Sequence, residues 1–123
     1  MKTNGSVLII EDDLWLAEQF QRTLNGAGFE AVHVPNGHIA MEMIDQSPPD
    51  AILLDVLLTG GTGIALLHEL QSYTDVADIP VVLCTNLAGQ IPLSDVKSYG
   101  VRRILDKTTM QPDDVTAAIR SVL

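Results

Sequence analysis

The sequence predicts a doubly wound α/β domain, a parallel five-stranded sheet with helices on both faces. Three observations support this. Four short apolar runs rich in β-branched residues recur along the chain: Val7-Leu-Ile-Ile10, Ala51-Ile-Leu-Leu54, Val81-Val-Leu-Cys84 and residues 101–105. Segments with helical spacing separate them. The first three runs are apolar on both faces, as parallel strands covered on both sides must be.

Val7-Leu-Ile-Ile10 opens the sheet. Leu16, Phe20 and Leu24 then recur at i, i+4 and i+8, with Ala17 widening the stripe, and Asn25-Gly26 is expected to end this first helix. Glu30-Ala-Val-His-Val34 alternates polar and apolar residues and reads as an edge strand. A second helix runs after Asn36-Gly37 through Ile39, Ala40, Met43 and Ile44 and stops before Pro48-Pro49. Ala51 to Leu54 form the next strand, and a third helix is expected over residues 63–70. After Val81 to Cys84 comes a short fourth helix, residues 92–99, with Pro92 in its first turn, where a missing N–H does no harm. Residues 101–105 form the fifth strand. The last helix opens at Pro112-Asp-Asp114, whose acids suit a helix N-terminus, and Val115, Ala118, Ile119 and Val122 make its apolar stripe.

The chain of 123 residues is expected to be one domain, residues 1–123, with a core over about 6–123 and a loose start at 1–5. A hydrophobic fraction of 46% and a charged fraction of 19% describe a globular protein rather than a disordered tail. Sixteen acids against seven bases give a net charge of -9, which repels nucleic acid and anionic membrane surfaces. No apolar run is long enough to span a bilayer, and residues 1–6 are too short and polar for a signal peptide. A single cysteine, Cys84, rules out an internal disulfide and fits a reducing cytoplasm.

Ligands of open parallel sheets bind beyond the carboxyl ends of the strands. The residues just after each apolar run are therefore the informative ones. Glu11-Asp12-Asp13 come after the first strand, Asp55 after the third, Thr85 after the fourth and Lys107 after the fifth. Three or four carboxylates, a hydroxyl and an ammonium thus converge on one rim. Crowded carboxylates repel unless a cation sits among them, and an all-oxygen cluster suits Mg²⁺. A carboxylate beside such a metal can act as nucleophile and form an aspartyl phosphate. Lys107 and Thr85 would then meet the charge on the transferred phosphoryl oxygens.

The sequence resembles the receiver domain of two-component response regulators. The resemblance covers residues 6–123 and is carried by Val7-Leu-Ile-Ile-Glu-Asp-Asp13, Asp50 to Asp55 with Gly63 eight places later, Pro80-Val-Val-Leu-Cys-Thr85, Gly100 and Lys107. It implies a flavodoxin-like (βα)5 sheet of strand order 2-1-3-4-5. It also implies that Asp55 is the phospho-acceptor and that Asp12 and Asp55 bind Mg²⁺ directly, with Glu11 helping through water and the backbone carbonyl of Leu57 as a further ligand. Thr85, the backbone of Asn86 and Lys107 would hold the phosphoryl group, and Asp13 would be an accessory acid. The implied partners are a histidine kinase or phosphotransfer protein and a downstream protein target.

Four positions depart from the family pattern. Thr59 stands where proline is common, Asn86 where a small residue is usual, and Thr108 where proline often makes a cis bond; a non-proline there should be trans, since cis costs about 2.5–4 kcal/mol. Ile104 occupies the place of the aromatic residue that turns inward as the threonine moves, so the expected site is intact and the switch atypical. Lys97, Tyr99, Arg102, Arg103 and Ile104 form a possible partner face. Two other functions stay open on the residues alone. One is a receiver-like interaction module that does not depend on phosphorylation. The other is an aspartyl-phosphate phosphatase resembling the haloacid dehalogenase family, against which Leu57 stands where a second aspartate is needed. Thr59-Gly-Gly-Thr-Gly63 lacks a following Lys-Ser/Thr pair and reads as a turn into the third helix rather than a phosphate loop. His33, His38 and His68 lack metal-ligand spacing, Cys84 reads as an inert core thiol, and Trp15 as a packing residue near the rim.

Overall fold

The computed structural model of the chain describes residues 4–58, 61–86 and 88–123. Five strands, β1 (Ser6–Ile10), β2 (Glu30–Val34), β3 (Ala51–Leu54), β4 (Val81–Thr85) and β5 (Val101–Asp106), alternate with α1 (Leu14–Gly26), α2 (Gly37–Gln46), α3 (Gly63–Gln71), α4 (Leu93–Val96) and α5 (Pro112–Val122). The strands are parallel and lie in the order β2-β1-β3-β4-β5, so the flavodoxin-like arrangement expected from the sequence is the one observed.

Side chains leave a strand alternately to its two faces, and the core divides accordingly. Leu8, Ile10, Ile52, Leu54, Val81 and Leu83 pack under α2 and α3 with Ile44, Leu67 and Leu70. Val7, Ile9, Ala51, Leu53, Val82 and Cys84 pack under α1 and α5 with Phe20, Leu24, Val115 and Ile119. The central strands are buried on both sides, which is why their sequences show no alternation.

Four details differ from the sequence expectation. Helix α1 runs through Gly26, and the left-handed backbone falls at Gly28 (φ 92°); Asn25 instead accepts a hydrogen bond from Ala31 N–H (3.0 Å), fastening the helix end to β2. The fourth helix is one α-turn, Leu93–Val96, followed by a 3₁₀ turn, Lys97–Tyr99, and Pro92 is its extended N-cap rather than a first-turn residue. Leu57–Leu58 and Gly61–Thr62 form a short antiparallel pair ahead of α3 in place of a simple turn. Thr59 lies outside the described residues. Finally, the β4–β5 register shifts between Val81 and Val82, which face Val101 and Arg103. The extra residue, Arg102, lets two neighbouring arginines stay exposed while Ile104 pairs with Leu83 and Leu105 with Cys84 on their proper faces.

Candidate functional site

Four of the five strands, all but the edge strand β2, hand a chemical group to the carboxyl edge of the sheet. Glu11 comes directly after β1, and its N–H donates to Val34 O (3.1 Å), continuing the β1–β2 ladder beyond the strand. Asp55 comes directly after β3, and its N–H donates to Ile10 O (3.1 Å), so the end of β2 anchors the Glu11 backbone and the end of β1 anchors that of Asp55. Thr85 ends β4, and Lys107, one residue past β5, donates its N–H to Thr85 O (3.1 Å). Glu11, Asp55 and Thr85 are the buried polar residues among those described, while Asp12, Asp13 and Asn86 are exposed.

The Lys107 ammonium bridges the two buried carboxylates. Its Nζ donates to Asp55 Oδ2 at 2.9 Å and lies 2.5 Å from Glu11 Oε1. Burial pushes the Glu11 carboxyl up to about 7; the Lys107 hydrogen bond and charge pull it down, and the Asp55 charge adds to the rise. Burial alone would pull the Lys107 ammonium down, but hydrogen bonds and charge from Glu11 and Asp55 outweigh it and raise it above the ordinary lysine value.

Glu11, Asp12 and Asp55 each offer one carboxylate oxygen, and those oxygens lie within 4.8 Å of one another. With all three ionised, one ammonium leaves a net charge of about -2 in a half-buried oxygen-only cluster. That donor set fits a hard divalent cation. Asp13 stands apart from the cluster: it is the N-cap of α1, its Oδ1 accepting from Leu16 N–H (3.1 Å), while its own N–H donates to Glu11 Oε2 (3.3 Å) and steadies that carboxylate.

Two further residues shape the site. At Gly63, the first residue of α3, a Cβ would sit 2.3 Å from the Asp55 carbonyl oxygen and 3.0 Å from Val56 Cα. The Gly63 N–H donates to Val56 O at 2.6 Å, so only glycine lets α3 start against the end of β3. Sequence spacing marks this glycine without giving its reason. Asp106 is a residue that sequence reasoning missed. Its Oδ1 accepts from both Thr108 N–H (2.8 Å) and Thr108 Oγ1 (2.6 Å), which closes the turn around Lys107. Those bonds hold the Asp106 carboxyl below the usual range. The Lys107–Thr108 peptide is trans, as a non-proline requires. The Asp-Lys-Thr triplet is a side-chain-closed turn, and that signal is present in the sequence.

The remaining candidates divide. Lys97, Arg102 and Arg103 are exposed, whereas Tyr99 and Ile104 are partly buried and packed on the α2–α3 core, Tyr99 with its ring 4.4 Å from that of His68. Trp15 is 69% exposed, so its packing role is slight; it borders a groove between α1 and α5 that reaches Lys107. Leu57 lies two residues past Asp55 in the short antiparallel pair. Cys84 is buried beside Met110, and burial pushes its thiol up to about 12, in keeping with an inert core residue.

Known proteins are similar to this chain in sequence and in fold. The family model of the response regulator receiver domain matches residues 7–120. The chain is 32% identical over 121 residues to the sensory transduction protein RegX3 of Mycobacterium bovis, 96% of this chain and 50% of that protein. It is 28% identical over 117 residues to the transcriptional regulatory protein BaeR of Escherichia coli, 95% of this chain and 47% of that one. The chain thus spans about half the length of these curated relatives. Among solved structures, the signal receiver domain of a signal transduction histidine kinase from Syntrophus aciditrophicus superposes with a TM-score of 0.83 at 30% identity, covering 97% of this chain and 89% of that one. With the sheet order, the rim of Glu11, Asp12, Asp55, Thr85 and Lys107, and a family match over nearly its full length, the chain belongs to the response regulator receiver domain family.

Proposed function

We propose that this receiver domain is a phospho-accepting signalling switch in which Asp55 takes a phosphoryl group from a phosphohistidine of a histidine kinase or phosphotransfer protein. The observation that carries the reading is the convergence of Glu11, Asp12 and Asp55 with the Lys107 ammonium at one strand edge. A carboxylate oxygen of Asp55 attacks phosphorus in line; the O–P bond forms as the P–N bond to the donor imidazole breaks, its electron pair staying on nitrogen. Lys107 would follow the phosphoryl oxygens, and Thr85, at the end of the neighbouring strand, would hydrogen-bond them. Glu11, Asp12, Asp55 and the backbone carbonyl of Leu57 would hold Mg²⁺, which supplies charge neutralisation for the carboxylates and the incoming phosphoryl group. Asp13 keeps Glu11 in place, and the backbone of Asn86 borders the phosphoryl position.

The output is a change in the surface offered to a downstream protein. Ile104 gives that change a different basis from an inward-turning ring, since its side chain already packs on the core. The reading places the domain in the cytoplasm, where kinase and phosphodonor meet; no described helix is long and apolar enough to cross a membrane. Incubation with a small acyl phosphate and Mg²⁺, followed by intact-mass measurement, tests the proposal. An adduct of one phosphoryl group, absent with chelator and absent from Asp55→Asn, is expected. No adduct on the wild-type protein would leave the interaction-module reading in its place.

A further inference from the structure

We propose that the groove between the C-terminal ends of α2 and α3 is a docking site for a basic, amphipathic segment of another protein, separate from the phospho-acceptor edge. Helices that connect parallel strands run back across the sheet, so this groove lies at the opposite edge from Asp55. Its volume is about 350 Å³. The floor is apolar: Ile44 and Val76 are buried beneath it, Met41 is half-buried, and Tyr73 remains 50% exposed along the wall. The rim carries Glu42 and Asp45 from α2, Glu69 from α3 and Asp75 from the loop after α3.

Charge decides the occupant. Among the described residues the only contact of ion-pair geometry at this rim is His38–Glu42, at 3.6 Å and largely exposed, ionic only when the imidazole carries a proton. The described lysines and arginines stand elsewhere: Arg22 on α1, Lys97, Arg102 and Arg103 in or beside β5, Lys107 in the site and Arg120 on α5. Neither α2 nor α3 has a lysine or arginine in its last turn, so the negative ends of two helix dipoles add to the four carboxylates. A bare cation would leave Tyr73 and the apolar floor wet, and nucleic acid would be repelled. The complementary ligand has lysine or arginine flanking an apolar anchor, the pattern of a basic amphipathic helix laid in a groove. Tyr73 offers such a segment both apolar contact and a π face for its cations.

The test uses a fluorescein-labelled peptide with lysine and leucine at helical spacing, titrated with the whole protein by fluorescence anisotropy at low and physiological salt. Joint replacement of Glu42→Gln, Asp45→Asn, Glu69→Gln and Asp75→Asn should weaken binding at least about tenfold. An equal-charge control at Glu18, Glu30, Asp113 and Asp114 should weaken it less than about threefold. Tyr73→Ala should weaken it several-fold, as should a lysine–serine peptide, and Asp55→Asn should leave it unchanged. Equal losses in the two charge variants would overturn the proposal in favour of whole-surface attraction. Absence of binding would also overturn it, as would equal binding of the lysine–serine peptide. Circular dichroism and the urea midpoint of each variant separate a lost site from a lost fold.

Discussion

The Lys107 ammonium holds two buried carboxylates at once, 2.9 Å from Asp55 Oδ2 and 2.5 Å from Glu11 Oε1. Three charged side chains from three strand ends are thereby tied at one point. Without the ammonium, two neighbouring anions would face each other in a poorly solvated pocket. Lys107→Ala should therefore destabilise the metal-free protein by roughly 2–3 kcal/mol, less than the usual cost of breaking a buried pair because Glu11 can take up a proton. Urea denaturation with chelator measures the loss. Added Mg²⁺ should restore more stability to the variant than to the wild type.

Glu11 carries a pH signature. Its folded carboxyl stands at about 7 against an ordinary 4.5, so its contribution to stability is fully present below 4.5 and is lost as pH rises towards 7. Glu11→Gln, which mimics the protonated form, should match the wild type near pH 4 and exceed it by roughly 1–3 kcal/mol at pH 8 with divalent cations chelated. Parallel denaturation curves across that window check this. A pH-independent difference would contradict a burial-raised carboxyl.

Gly63 should tolerate no side chain. An added methyl would lie 2.3 Å from the Asp55 carbonyl oxygen, and the group it meets is backbone rather than a flexible side-chain tip. Gly63→Ala should cost about 1–3 kcal/mol and slow phosphodonor labelling by moving the end of β3. Gly37→Ala is the control, since a Cβ there meets only Leu66 at 3.6 Å or more; its stability should change little.

Cys84 gives an alkaline counterpart. Burial raises its thiol from 9.0 to about 12, so its contribution holds below pH 9 and fades as pH climbs towards 12. Cys84→Ala should lose stability to the new cavity at pH 7, and the gap to wild type should narrow as pH rises above 9. Thiol labelling of the native wild type should be slow and should accelerate on unfolding.

The positions of the chemical groups are legible in the sequence because a parallel sheet forces them. A run apolar on both faces, such as Ala51 to Leu54, can be a central strand, and the residue after it must face the carboxyl edge. The same rule places Glu11, Thr85 and Lys107. The features hidden from the sequence are local. The bulge at Arg102 is invisible to alternation, because Val101-Arg-Arg-Ile104 fits neither face without an extra residue. The two-residue strands around residues 57–62 are too short to carry any period. The fourth helix is a single turn with no apolar stripe to mark its start, so proline statistics alone put Pro92 one residue too far inside it. Asp106 escapes a reading in which its partner, Thr108, stands out only as a missing proline.

The most direct measurement locates the phosphoryl group itself. After labelling with an acyl phosphate and Mg²⁺, borohydride reduction converts an aspartyl phosphate to homoserine, and peptide mass spectrometry reads the position. Homoserine at position 55, formed only when phosphodonor and metal are both present, is the expected result. Labelling confined to another carboxylate, Asp12 or Asp13 included, would contradict the assignment of Asp55 and the reading of the rim built on it.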